Sequence, residues 1–437
     1  VNHATSRQHL VDIYHAAIAA IQPDRAVCAG LELSVPDTAQ PLHLLAIGKA
    51  ARTMLRAAVT WCAERGVPVT GGVCISHEQT GTSLPETFVV SHGDHPHPDD
   101  ASTAAAHLLR TYVQSHVHPG SHAVVLLSGG TSALIGAPAG VLTAGAYRAC
   151  CRMLLRSGLD IHAHNALRRQ LAMWGNGRLG AALQQAGAAV TVLAISDVPG
   201  DAPVSIGSAP CIATEVSPAE NEVMLAAASL SDDERSALRD ALWLAAPSSV
   251  RTSVDIVHHI VSSNQLARAA VAAAAGTALR ATVIPELLVD DAMHCGAIIA
   301  RQLVESRATV QGPTLFCWGG EPVVSLPADA PPGGRMQALA LAASRALHEA
   351  GGEDTHGITI LAAGSDGRDG ATDAAGAVVD GRTWAAIESA GHDAEALLAA
   401  HDSHTALRSA GCLIPAFASG TNVNDLVIAL VEPPHDR

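Results

Sequence analysis

Short, continuously apolar runs alternate with Ala-rich stretches of helical period along most of this chain, and that alternation limits the folds open to it. The runs are Leu42–Ile47, Val73–Ser76, Phe88–Ser91, Ala123–Leu127, Ala189–Ile195, Asp255–Ile260, Ala281–Ile284, Thr314–Trp318, Ile358–Ala362 and Leu426–Val431. Between them lie Ala50–Glu64, Asp100–Ser115, Ala144–Ser157, Leu266–Leu279, Ala292–Ser306 and Met336–Glu349. Strands that are apolar at every position suit a parallel sheet buried on both faces, and their alternation with helices predicts an α/β architecture.

Composition narrows the function classes. Apolar residues make up 48% and charged residues 15% of the 437 positions, which excludes a disordered chain. Aromatics are only 3%, so Ala, Val, Leu and Ile must build the core. With 41 acidic against 26 basic residues the formal charge is −15, and no basic stretch offers a surface for nucleic acid or an anionic membrane. No apolar run is long enough to span a bilayer, and the N-terminal stretch carries His, Arg and Asp where a secretion signal needs apolar residues. A cytoplasmic protein is expected. The nine cysteines are scattered without a CxxC pair, which argues against a disulfide framework or cysteine-held zinc.

Length predicts two or three domains. The sequence suggests an N-terminal α/β domain over residues 1–250, a hinge and helical connection over 251–309, and a C-terminal α/β domain over 310–437. The Pro- and Asp-rich stretch Leu326–Gly334 reads as a loop.

The chemistry gathers where five of the runs end. They lead into Gly48-Lys49-Ala50, Ser128-Gly129-Gly130-Thr131-Ser132, Ser196-Asp197-Val198-Pro199-Gly200-Asp201, Gly319-Gly320-Glu321 and Gly364-Ser365-Asp366-Gly367-Arg368-Asp369-Gly370. Ligands of open α/β sheets bind beyond the carboxyl ends of strands, and glycine-rich turns let backbone N–H groups approach a phosphate. Of the 26 basic residues 25 are arginine, and the one lysine is Lys49. A compact ammonium kept at a strand exit, with carboxylates and Arg335 in the other loops, is equipment for phosphoryl transfer. No Walker loop is present, and no G-x-G-x-x-G dinucleotide fingerprint follows a strand.

In order, Ile47-Gly-Lys-Ala-Ala51, His95-Pro-His-Pro-Asp99, Leu127-Ser-Gly-Gly-Thr-Ser-Ala-Leu134, Ile195-Ser-Asp-Val-Pro-Gly-Asp201, Gly319-Gly-Glu321, Gly333-Gly-Arg335, the Gly364–Gly376 stretch and Gly420-Thr-Asn-Val-Asn-Asp425 resemble the glycerate 2-kinases with a C-terminal MOFRL domain. The resemblance implies a Rossmann-like parallel sheet in the N-terminal domain, a smaller α/β C-terminal domain and a cleft between them. It implies a phosphotransferase that uses ATP and Mg²⁺ to phosphorylate the 2-hydroxyl of D-glycerate or a closely related small hydroxy acid, and it admits a homodimer.

Carried onto this sequence, Lys49, Asp197 and Arg335 become the catalytic set. Ser128, Gly129, Gly130, Thr131, Ser132, Gly320, Glu321 and Asn422 become substrate and phosphate contacts, with Asn422 equally readable as a turn residue, and Asp366 and Asp369 become metal ligands. The chain departs from the family pattern at Thr131, Met336, Ala338 and Ala416–Ser419. A β-branched Thr131 is expected to narrow the phosphate-cradling turn. These departures leave two further readings, a relative acting on a specialised metabolite and a weakened ligand-binding protein. An oxidoreductase, a label sometimes given to this family, is disfavoured by the missing dinucleotide fingerprint.

Overall fold

The computed structural model describes residues 3–35, 40–77, 84–246, 256–277, 279–327, 329–351 and 355–434. Asp255, the start of one expected strand, lies outside them. The chain forms two compact units: Pro23–Val261, and Val1–Gln22 together with Ser262–Arg437.

The Pro23–Val261 unit is built on six strands, β1 Leu42–Ile47, β2 Val69–Ser76, β3 Phe88–His92, β4 His122–Leu127, β5 Ala189–Ile195 and β6 Val257–Ser262. Their order is β3-β2-β1-β4-β5-β6, and the ladders from β3 through β5 are parallel. This is the order of a doubly wound dinucleotide-type sheet, whose direction of winding reverses between β1 and β4. All six residues of β1 and of β4 are buried, which is why neither strand alternates in polarity. Ala51–Arg65 packs on β1 and β2, and Asp100–His116 on β2 and β3. The latter helix starts where it does because Asp99 accepts from the Ser102 N–H at 2.8 Å while Ser102 bonds back, a capping box. Leu45, Ile47, Val73, Ile75, Val125 and Leu127 join one core cluster. Each fully buried side chain of this size adds about 1.5–3 kcal/mol. A satellite core around Tyr147, Leu154, Leu167, Leu171 and Leu238 ties four further helices together.

The second unit carries β7 Arg280–Leu288, β8 Thr314–Gly320, β9 Ile358–Gly364, β10 Ala374–Asp380, β11 Leu413–Pro415 and β12 Asp425–Val431. Their order is β11-β10-β9-β12-β8-β7. Only β7 and β8 run parallel; the remaining ladders are antiparallel. The apolar runs of β9 and β12 thus arise from cover on both faces and not from strand direction. Ile358, Ile360, Ala362, Val427, Ala429 and Val431 pack with the helices Ala292–Arg307 and Arg335–Ala350. The helices His3–Ala20 and Asn264–Ala274 also lie on this sheet.

The boundaries expected at 250 and 310 do not match these units. The first helix belongs with the C-terminal strands. Arg7 Nε bonds the Asp380 carboxylate at 3.0 Å, and the buried Tyr14 hydroxyl donates to the Gly364 carbonyl at 2.6 Å. Within the stretch expected to connect the two units, residues 257–262 supply β6 to one sheet, and Asn264–Ala274, β7 and Ala292–Arg307 belong to the other unit. Tyr14→Phe removes one of the two hydrogen bonds that the Gly364 carbonyl accepts, the other coming from the Gly367 N–H at 3.2 Å, and should lower stability by about 0.5–1.5 kcal/mol in urea unfolding; an unchanged midpoint would remove this bond from what holds the first helix to the unit.

Candidate functional site

In the Pro23–Val261 unit, three of the expected loops leave the carboxyl ends of the neighbouring strands β1, β4 and β5, at and beside the reversal of winding. Two of them are laced together by backbone. The Lys49 N–H donates to the Gly129 carbonyl at 2.9 Å, and the Ala50 N–H to Ser128 Oγ at 3.0 Å. The Thr131 hydroxyl is buried and lies 2.9 Å from the Ile47 carbonyl and 2.7 Å from that of Ser128. Thr131 therefore braces the turn from beneath and does not narrow it, contrary to expectation. The Ser128 and Thr131 side chains are committed to the fold, and Ser132 Oγ sits 2.7 Å from Ser208 Oγ. What this turn offers a ligand is mainly the backbone of Gly129 and Gly130.

Those two glycines separate the charged residues. A Cβ added at Gly129 would collide with Asp197 Oδ2. One added at Gly130, whose φ is +86°, would stand 3.1 Å from the His95 ring and 3.3 Å from Lys49 Cγ. Lys49 is exposed, and Asp197 is half-buried. Burial, then the charges of Lys49, Arg168 and His77, push the His95 imidazole down to about 4, so it is neutral at pH 7 beside the ammonium. The sequence reading gives neither His95 nor Arg168 a role in the site, although His95 opens the His95-Pro-His-Pro-Asp99 motif. Gly129→Ala must displace the Asp197 carboxylate. If Asp197 acts in turnover, kcat should fall by ten- to a hundredfold with little change in melting temperature, and an unchanged kcat would remove Asp197 from the reaction.

In the second unit the other two loops follow β8 and β9, both of which pair with β12 between them. The register sets Asp425, the first residue of β12, opposite Gly320 on one side and Gly364 on the other. Arg335, at the start of its helix, reaches this carboxylate with Nε at 2.6 Å and Nη2 at 3.3 Å, and its Nη1 lies 3.0 Å from Glu321 Oε1. These residues line a cavity of about 730 Å³ together with Asp366 and Asn422. Asn422 is exposed, and its Oδ1 accepts from the Asn424 N–H at 3.1 Å, the turn role held open above.

Two expectations fail here. Gly320 is buried in the sheet and paired with β12 on one side and β7 on the other, because β8 extends through both glycines. Asp369 does not offer a free carboxylate to a metal. It is only 3% exposed, and its carboxylate accepts from the Met336 N–H at 3.1 Å and the Gln337 N–H at 2.7 Å, capping the helix that Arg335 begins. Asp366 stays exposed, with one oxygen accepting from the Arg368 N–H at 2.9 Å. No group of three or more His, Cys, Asp or Glu side chains is placed to hold a metal among the described residues.

Burial holds the Asp425 carboxyl far above the ordinary carboxylate range, at about 7, against the lowering effect of Arg335. Below its unfolded value the folded state loses nothing by this. As pH rises from about 4 through 7 the unfolded chain has released the proton that the folded chain keeps, so stability falls. Wild type should therefore lose stability relative to Asp425→Asn between pH 5 and 8 in chemical unfolding. A constant difference would contradict the burial argument.

The fold and these loops define an α/β protein with its chemistry at strand exits, the Pro23–Val261 unit being of the doubly wound class. Comparison with known proteins makes that specific. A family model described as a domain of unknown function, DUF4147, matches residues 9–242, and a MOFRL family model matches residues 314–425. A relative in Thermotoga maritima named D-glycerate 2-kinase is 30% identical over 96% of this chain and 97% of its own. A relative in Agrobacterium vitis with a provisional hydroxypyruvate reductase name is 32% identical over 98% of this chain and 95% of its own. The crystal structure of glycerate kinase from Thermotoga maritima superposes with a TM-score of 0.85 at 28% identity, covering 98% of this chain and all of that one. The chain belongs to the glycerate 2-kinase family that joins a DUF4147 region to a C-terminal MOFRL domain.

Proposed function

We propose that this protein is an ATP-dependent kinase that phosphorylates the 2-hydroxyl of D-glycerate. One observation carries the reading: the only lysine and Asp197 flank a glycine turn at the point where a doubly wound sheet reverses. Relatives named as glycerate kinases that align over nearly the whole chain support it.

In this reading a carboxylate oxygen of Asp197 accepts the proton of the 2-hydroxyl as the hydroxyl's own oxygen bonds to the γ-phosphorus of ATP and ADP departs. Lys49, mobile on its stem and exposed, holds the substrate carboxylate or the moving phosphoryl group as a point charge. The neutral His95 beside it adds no second positive charge and presents a ring nitrogen to a hydroxyl. Arg335, in the other unit, offers its guanidinium to an anion. Gly129 and Gly130 lend backbone to an anion.

Mg²⁺ fits the second unit in one way only. With Asp369 spent on its helix and Asp373 paired with Arg408 at 2.7 Å, Asp366 is the remaining carboxylate in the loop after β9, and a single carboxylate suits an ion that takes its other ligands from phosphate and water. When bound there, Mg²⁺ would neutralise phosphate charge.

A coupled ADP-release assay with D-glycerate tests the proposal. Wild type should turn over, Asp197→Asn should keep its KM values within a few-fold while kcat falls by about a hundredfold or more, and Lys49→Arg should lose most activity because a planar fork replaces a compact charge. NADH oxidation with hydroxypyruvate, without ADP release, would replace this reading by a reductase.

A further inference from the structure

The three N–H bonds that Arg335 makes are not equivalent. Those to Asp425 are two, from the Nε and Nη2 edge, onto a carboxylate that is 5% exposed and fixed at the first position of a central strand. Asp425 cannot follow a moving partner, because its own backbone pairs with Gly320 and Gly364 and its carbonyl accepts from Asn264 Nδ2 at 2.9 Å. The bond to Glu321 is single, and that side chain is 43% exposed on the loop after β8. A guanidinium has five N–H groups. Three are accounted for by Asp425 and Glu321, which leaves one hydrogen on each Nη of an arginine that lines the 730 Å³ cavity.

Resting on the kinase reading, we propose that Asp425 in its ionised form is the positioning residue of Arg335: it clamps one edge of the guanidinium so that the opposite, Nη1–Nη2 edge is presented as a two-pronged donor to the anion of the reaction. A long arginine otherwise loses rotameric freedom each time it engages an anion, and a rigid bidentate clamp removes that cost beforehand. Glu321, tied by one bond and half in solvent, yields its place when the anion arrives. The groups that face the Asp425 carboxyl are Arg335, Asp369 and Glu321, with the Tyr14 ring beneath; only Arg335 is a cation, so the clamp has one possible charged partner among the described residues.

The test is a double-mutant cycle in the ADP-release assay. Asp425→Asn in the wild-type background should lower kcat by ten- to a hundredfold with KM for ATP and D-glycerate moved by less than threefold. In an Arg335→Ala background the same change should have no further effect. Added guanidinium ion should restore part of the Arg335→Ala activity when Asp425 is present and none when it is Asn. Asp425→Ser, smaller and still an acceptor, serves if the Asn variant does not fold. Equal losses from Asp425→Asn in both backgrounds, or rescue by guanidinium regardless of residue 425, would overturn the clamp and leave the kinase reading intact. A wild-type protein without ADP release would instead overturn the kinase reading itself.

Discussion

The structure depends on how closely two parallel strands can end beside each other. β1 and β4 are neighbours across the reversal of winding, and their exits are stitched by the Lys49 N–H on the Gly129 carbonyl and the Ala50 N–H on Ser128 Oγ. Stitching of this kind fixes where the lysine stem begins to within the play of two hydrogen bonds. The ammonium then has four carbons of reach from a fixed base, and Asp197 has a wall of glycine backbone to lean on. Side-chain hydroxyls in the turn serve this frame, and Thr131 is the clearest case.

The second unit solves a different problem with similar means. There, an arginine has to sit near a ligand without collapsing onto protein carboxylates at random. Two antiparallel ladders place one acid at the head of β12, and a buried aspartate caps the helix from which the arginine springs. Burying the acid is costly, which is visible in how strongly it resists ionisation, and the guanidinium offsets only part of that cost.

Much of this was legible beforehand, for identifiable reasons. Continuous apolar runs marked the buried strands because burial on both faces removes alternation, and the strand exits followed from glycine placement. The same cue misled about direction in the second unit, where β9 and β12 are as buried as β1 yet antiparallel. β10 and β11 went unseen since Ala374–Asp380 is made of small residues within a glycine-rich stretch and Leu413–Pro415 is three residues long. Asp369 read as a metal ligand because a helix cap 33 residues distant in sequence leaves no local signature. Asp425 had a signal, a lone acid opening the strand Leu426–Val431, but its importance lies in pairing with two strands that sequence spacing does not bring together.

The unit built from both ends of the chain has a consequence for biosynthesis. Tyr14 leaves the ribosome 350 residues before the carbonyl it bonds, and the central strand β12 comes later still. At about 5–20 residues per second, the first helix waits roughly 20 to 70 s for its sheet. During that interval an apolar face carrying Leu10, Ile13, Ala17 and Ile18 is without its partners, while the doubly wound unit can fold in between. Until β9 and β12 are made, the apolar face of this helix is a surface open to chaperones.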